Sequence, residues 1–293
     1  MKTEEINIRD PFVYVEDGVY YLYGTRAKTC WGPADGFDVY WGTDLENWEG
    51  PHEIFHNNGS FWADRNYWAP ELHKYRGKYY IFASFKNETE CRGTQILISD
   101  NPKGPFVPHS DGPVTPRDWE CLDGTFYVSK DGTPYMVFCH EWVQIVDGTI
   151  CAIPLTEDLK AAAGEPRVLF HASEAVGWTK GRENYRFPGK ATYVTDGPFL
   201  HRCENGELLL LWSGFGEDGY AEAIARSDNG DITGNWTQDE TPLFEKDGGH
   251  GMIFRTPDGR LYLTLHSPNK TPEERPKFYP LIERGGQLVR RLP

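Results

Sequence analysis

Five ionisable residues, Asp10, Glu71, Asp123, Asp196 and His250, each precede a short apolar hairpin. Asp10 stands in Arg9-Asp10-Pro11-Phe12, Asp123 in Leu122-Asp123-Gly124-Thr125, and Asp196 in Asp196-Gly197-Pro198-Phe199. If the hairpins are arranged in a ring, their first strands start on one face and the five side chains converge. Three carboxylates around one pocket suit hydrolysis of a glycosidic bond. One must be ionised to activate water, and one must hold a proton for the leaving oxygen. A third can raise the acid's pKa through like-charge repulsion. An Asp before Gly or Pro ordinarily serves a turn. Here the same register recurs at strand starts, which favours a site.

The elements that must position these residues announce themselves by turns. Asp17-Gly18, Arg76-Gly77, Asp131-Gly132, Asn205-Gly206 and Asp258-Gly259 each separate two apolar runs, the second rich in aromatic and aliphatic residues. The turn glycines lie 59, 55, 74 and 53 residues apart, which is the mark of a repeat architecture. Third strands are expected at Phe37–Gly42, Thr94–Ser99, Gly148–Pro154 and Ala221–Ser227. Three or four strands in each of five units give an all-β, five-bladed β-propeller. A β-sandwich does not explain the repeat. Residues 1–293 read as one domain, with an inserted loop at Glu174–Ala191. Residues just beyond each second strand, Arg26, Lys86, Glu141, Phe215 and His266, are expected to rim the pocket.

Composition narrows the partners. The net charge is −14 and no basic stripe is visible, which argues against nucleic acid. No run approaches the ~18 apolar residues of a membrane span. The ten Trp, sixteen Tyr and sixteen Phe supply a core and also suit sugar-ring stacking. Six scattered Cys without a C-x-x-C read as reduced thiols. With the polar Met1-Lys-Thr-Glu-Glu start, they suggest a cytoplasmic location.

The chain resembles glycoside hydrolase family 43, five-bladed propellers that act on arabinosides and xylosides. The resemblance rests on Arg9-Asp10-Pro11-Phe12, Trp68-Ala69-Pro70-Glu71, Leu122-Asp123-Gly124, Asp196-Gly197-Pro198 and Gly249-His250-Gly251, in that order along nearly the whole chain. It implies Asp10 as the general base, Asp123 as the modulator of the acid's pKa, and Asp196 at the place of the general acid. The family usually carries Glu-Gly-Pro there, so the side chain is one methylene shorter. Glu141 and Glu183 are the alternative acids. The resemblance also implies inversion in a single displacement on arabinofuranosyl or xylosyl linkages, with sugar contacts from Trp68, Glu71 and Glu141. Release of terminal units from small oligosaccharides is expected from the cytoplasmic location, where an enzyme meets imported short chains. It requires no cofactor, but places a structural calcium in the central channel, reached from His250 through water. His250 is otherwise a sugar-binding or hydrogen-bonded channel residue. Trp31, Trp142 and Trp178 are further rim candidates.

Two other readings stand beside this one. The Asp196 substitution is compatible with a sugar-binding propeller that has lost its acid. Trp119-Glu120-Cys121 is similar to the acid motif of the invertase-type propellers, in which Glu120 would be the acid of a retaining reaction. The first blade lacks the Asn-Asp-Pro-Asn-Gly form expected of those enzymes. Oligomeric state is not legible.

Overall fold

A computed structural model describes residues 1–291 and shows an all-β, five-bladed propeller. Blade 1 comprises β1 (Ile8–Glu16), β2 (Val19–Arg26), β3 (Gly36–Gly42) and β4 (Glu49–His56). Blade 2 comprises β5 (Arg65–Tyr75), β6 (Lys78–Lys86), β7 (Gly93–Ser99) and β8 (Val107–Pro108). Blade 3 comprises β9 (Cys121–Val128), β10 (Pro134–His140), β11 (Thr149–Pro154) and β12 (Arg167–His171). The segment before the fourth blade carries a small hairpin, β13 (Arg182–Glu183) with β14 (Ala191–Thr192). Blade 4 comprises β15 (Asp196–Arg202), β16 (Leu208–Gly216), β17 (Gly219–Ser227) and β18 (Trp236–Gln238). Blade 5 comprises β19 (Gly249–Arg255), β20 (Leu261–Ser267), β21 (Arg275–Arg284) and β22 (Gln287–Arg290).

Each blade is a simple antiparallel meander in chain order. The five anticipated turn glycines all have φ between 79° and 90°, a conformation a side chain would resist. The core lies between blades. Leu22, Phe37, Phe55 and Phe85 fill one shared layer, and Trp212, Phe170 and Leu210 fill another. Blade 5 returns against blade 1, where Asn7 Nδ2 donates to the Pro272 and Glu274 carbonyls. All six cysteines are free.

The expected third strands are present in blades 1 to 4, but the last two strands of blade 5 and the short outer strands carried no hairpin signal. A larger correction concerns the innermost strands. The presumed opening residues do not precede the strands; they lie within them, at a bulge. In every blade the first strand advances three residues while its partner advances two: Arg9 to Phe12, Trp68 to Glu71, Leu122 to Thr125, Asp196 to Phe199, and Gly249 to Met252. One extra residue is thus inserted at the same place five times. The first bulge residue has positive φ in each case: Asp10 53°, Ala69 46°, Asp123 56°, Gly197 52° and His250 52°. These five are the equivalent positions. Asp196 instead corresponds to Arg9, Trp68 and Leu122, and Glu71 corresponds to Phe12.

Candidate active site

The bulge explains how neighbours in sequence reach one cavity. On a regular strand Arg9 and Asp10 would face opposite sides. With the extra residue both line the same inner chamber, as do Leu122 and Asp123. The chamber, about 70 Å³, is completed by Cys30, Trp31, Trp68, Asp196, Tyr220 and His250. It opens into an outer cleft of about 550 Å³ that includes Arg92, Glu141, Trp142, Val194, Phe215, Asn269 and Thr271. Arg9, Trp31, Trp68, Leu122 and Asp196 border both spaces. Asp196 is therefore the one carboxylate at their junction, while Asp10 and Asp123 border the inner chamber alone.

The backbone of the ring is held from blade to blade. The residue opposite the pre-bulge position on each second strand is Thr25, Ser84, Cys139, Ser213 or His266. Four of these accept the bulge N–H of the next blade. Ala69 donates to Thr25 Oγ1 at 2.8 Å, Asp123 to Ser84 Oγ at 2.8 Å, His250 to Ser213 Oγ at 2.7 Å, and Asp10 to His266 Nδ1 at 3.2 Å. The last bond requires a lone pair on Nδ1. His266 is accordingly neutral: burial, then the Arg9 cation, pushes its pKa down to about 3. At the remaining interface the thiol of Cys139 is a poor acceptor. There the Gly197 N–H donates to Asp123 Oδ2 instead, at 3.0 Å.

Electrostatics separates the three carboxyl groups. Burial, the largest influence on each, favours the protonated form. At Asp10 it is outweighed by His250, whose Nδ1 lies 3.2 Å from Oδ1, and then by the Arg9 cation, while the Thr25 hydroxyl donates to Oδ2 at 2.6 Å. Asp10 is held below the usual carboxylate range and is ionised. His250 is held protonated, up to about 10, because Asp10 and Asp123 oppose its burial. Its Nδ1 is 3.6 Å from Asp123 Oδ2. Asp123 and Asp196 are both raised, first by burial, with Asp196 and Asp10 adding to the effect on Asp123. Tyr220 donates to Asp196 Oδ2 at 3.0 Å.

The other sequence candidates divide. Glu141 reaches the outer cleft, but both oxygens accept from Arg92 Nη1, at 2.6 and 2.8 Å. Arg92 in turn lies 3.9 Å over the Trp68 ring, so that face of Trp68 is covered. Trp31 is 62 % exposed in the cleft and is fixed by its Nε1 donating to Thr271 Oγ1 at 2.9 Å. Trp142 and Phe215 line the cleft, whereas Trp178 is buried in the blade-4 core. Glu71 lines neither space; its carboxylate pairs with His73 Nε2 at 3.1 Å. Glu183 is exposed on the small hairpin, outside both linings. Glu120 accepts from Lys86 Nζ and is lowered as a result, despite burial, so it is poorly suited to donate a proton. Of the expected rim, Arg26 and Lys86 are engaged in ion pairs away from the cleft, and His266 lies beneath Asp10. Arg9, Tyr220 and Asn269 were not anticipated. Arg9 had a legible signal, being adjacent to Asp10, but only the bulge brings it in.

The matching family model, Glycosyl hydrolases family 43, covers residues 5–284. The chain belongs to glycoside hydrolase family 43. This family 43 glycosidase is 25 % identical over 257 residues to a xylosidase/arabinosidase of Bacteroides ovatus, covering 75 % of this chain and 79 % of the relative. A crystal structure of an endo-arabinase from Bacteroides thetaiotaomicron superposes with a TM-score of 0.90 at 38 % identity, over 98 % of both chains. A thermostable family-43 glycoside hydrolase superposes at 0.80 and 21 % identity, over 100 % of this chain and 96 % of the other.

Calcium takes six to eight oxygen ligands. His250 directs Nδ1 at Asp10 and Asp123, 3.2 and 3.6 Å away, so that nitrogen is already engaged by the two carboxyl groups. This donor set does not fit a calcium cage. Among the described residues, His201, Cys203 and Glu283 are the His, Cys or carboxylate group whose ligand atoms converge, within 4.8 Å. His201 Nε2 already bonds Glu283 Oε2 at 3.0 Å, and Arg255 lies 4.0 Å from the same carboxylate.

Cys139 provides a test of the ring. In Cys139→Ser the hydroxyl takes the Gly197 N–H away from Asp123. That bond favours ionised Asp123, so its loss makes Asp123 hold a proton more tightly. A more firmly protonated Asp123 puts less negative charge beside Asp196, which then gives up its proton more readily. The expected result is a threefold to tenfold fall in kcat/KM at neutral pH, about half to one pKa unit, shrinking in acid where both groups are protonated. A pH–rate profile with a parallel melting curve checks this.

Proposed function

We propose that the enzyme hydrolyses α-L-arabinofuranosyl linkages of small oligosaccharides by a single inverting displacement. The observation that carries this reading is the position of Asp196 where the narrow chamber meets the wide cleft. A sugar ring seated in the chamber, with its leaving group in the cleft, puts the glycosidic oxygen at that junction. Asp196, raised by burial, would deliver its proton there. Asp10, ionised on the inner side, would take a proton from the attacking water. Asp123, which His250 and Gly197 hold in place, would keep the shared proton available and bind the sugar. Trp31 offers an exposed ring face to a sugar in the cleft.

Arabinose is preferred to xylose on the similarity to the endo-arabinase structure at 38 % identity. The same similarity favours internal cleavage as a second reading beside release of terminal units. Proton NMR of the first product from linear arabino-oligosaccharides and xylo-oligosaccharides tests these points together. The β-anomer from an α-linked arabinoside is expected. Retention, or turnover of xylosides alone, would sink the corresponding part. Arabinose as first product supports terminal release, and longer products support internal cleavage.

A further inference from the structure

The second bulge residue differs between blades: Pro11, Pro70, Gly124, Pro198 and Gly251. Proline has no N–H, so three blades leave nothing to satisfy at that point. Gly124 and Gly251 each bring a buried N–H that needs an acceptor. The third strand of the preceding blade tracks this difference. Opposite the ring-forming residues Cys139 and His266 stand Ile150 and Pro276, and Phe37 is in line with Thr25. Each of these apolar residues comes from the blade before a Pro bulge. Opposite Ser84 and Ser213 stand Thr94 and Glu222, from the blades before a Gly bulge. Both polar residues lie against that glycine, but only Glu222 bonds its N–H; Thr94 Oγ1 has no partner. A Cβ on Gly124 would meet Thr94 Oγ1 at 3.0 Å, and one on Gly251 would meet Glu222 Cδ at 3.2 Å.

Glu222 does more than match one N–H. Its Oε2 accepts from Gly251 N at 2.9 Å and from Ser213 Oγ at 2.5 Å. The same Ser213 hydroxyl accepts from His250 N. One carboxylate therefore ends a chain that secures both N–H groups of the blade-5 bulge. It is an expensive solution: Glu222 is fully buried, its Oε1 has no partner, and burial pushes it up to about 7. The Pro bulge with an apolar neighbour, used three times in this protein, avoids that burden. Blade 5 differs in what its bulge carries. His250 must be held at φ 52° with Nδ1 directed between Asp10 and Asp123.

We infer that Glu222 is a positioning residue for the reaction, acting through Ser213 and the Gly251 N–H to fix His250 between Asp10 and Asp123. The inference rests on the proposed roles of those carboxylates. Glu222→Ile, copying the residue at the Pro-type interface, removes both acceptor contacts. Glu222→Gln retains an oxygen for them. Amide hydrogen exchange at His250 and Gly251 is expected to speed up at least about tenfold in Glu222→Ile and to stay near wild type in Glu222→Gln. The value of kcat/KM is expected to fall about tenfold in Glu222→Ile and to be largely kept in Glu222→Gln. Should Glu222→Ile fail to fold, Glu222→Asp, with its shorter reach, is expected to show the same exchange and activity changes. Unchanged exchange at His250 in a folded variant lacking the contacts overturns the inference. So does activity that falls as far in Glu222→Gln as in Glu222→Ile. Wild-type protein without turnover on any pentoside, but with the exchange result intact, would overturn the proposed reaction and leave the positioning of His250 standing.

Discussion

Asp196→Asn is expected to lower kcat/KM on an unactivated arabino-oligosaccharide by about 10²–10⁴-fold, the range a positioned general acid contributes. It should lower the rate far less on an aryl arabinofuranoside whose phenolate departs without protonation. The split follows from geometry. Asp196 alone among the three carboxylates touches both the inner chamber and the cleft. Tyr220 donates to Oδ2, which leaves Oδ1 as the oxygen that carries the proton. The tyrosine keeps its own proton, since burial raises the phenol well above its ordinary value. Asn cannot donate an acidic proton but preserves the volume. The pH dependence has a definite sign. Activity that needs protonated Asp196 persists below its raised pKa and disappears as pH rises through it. The basic limb of the wild-type profile therefore stands above the ordinary carboxylate range. Equal losses on both substrates would show that Asp196 does not protonate the leaving oxygen, and Glu141→Gln would then be the next variant to measure.

Asp10→Asn has the other large expected effect, and its pattern differs. Water must be deprotonated whatever the leaving group, so both substrates should lose about 10²–10⁴-fold. The wild-type acidic limb should lie below the usual carboxylate range, because His250 and then Arg9 hold Asp10 ionised against burial. The activity that depends on ionised Asp10 is present above that lowered pKa and is lost only as pH falls through it. Asp10→Asn also removes one partner of a buried charged pair. Breaking such a pair costs about 3–5 kcal/mol. Asp123 remains 3.6 Å from His250 Nδ1, which should keep the loss at the low end. Rates on both substrates and a melting curve check this. If Asp10→Asn retains aryl-glycoside activity that Asp123→Asn abolishes, the base is Asp123.

Much of this was legible in the chain because it depends on local rules. Asp-Gly and Asn-Gly turns flanked by apolar runs encode hairpins, and their repetition encodes a ring of five. The family motifs single out Asp10, Asp123, Asp196 and His250, and all four line one chamber. Equivalence within the ring departs from the sequence expectation at two positions. Glu71 took the place of Ala69, and Asp196 that of Gly197, because the bulge adds a residue that alternation cannot reveal. Glu71 thereby falls on the side facing His73, outside the chamber.

The sequence by itself determined the five hairpins, the all-β propeller and the acidic residues that meet at its centre, since turn chemistry and strand pattern act between near neighbours. Only the tertiary structure decided the state of each group. Asp10 is ionised because His250, 240 residues away, lies against it. Asp196 stands at the mouth of the chamber because Arg9, Trp31, Trp68 and Leu122 from three other blades close the space around it. Tyr220 reaches Asp196 across blade 4, and Glu222 gained its role only when β17 packed beside the bulge of blade 5. Charge and burial depend on distances in space, and those exist only once the ring has closed.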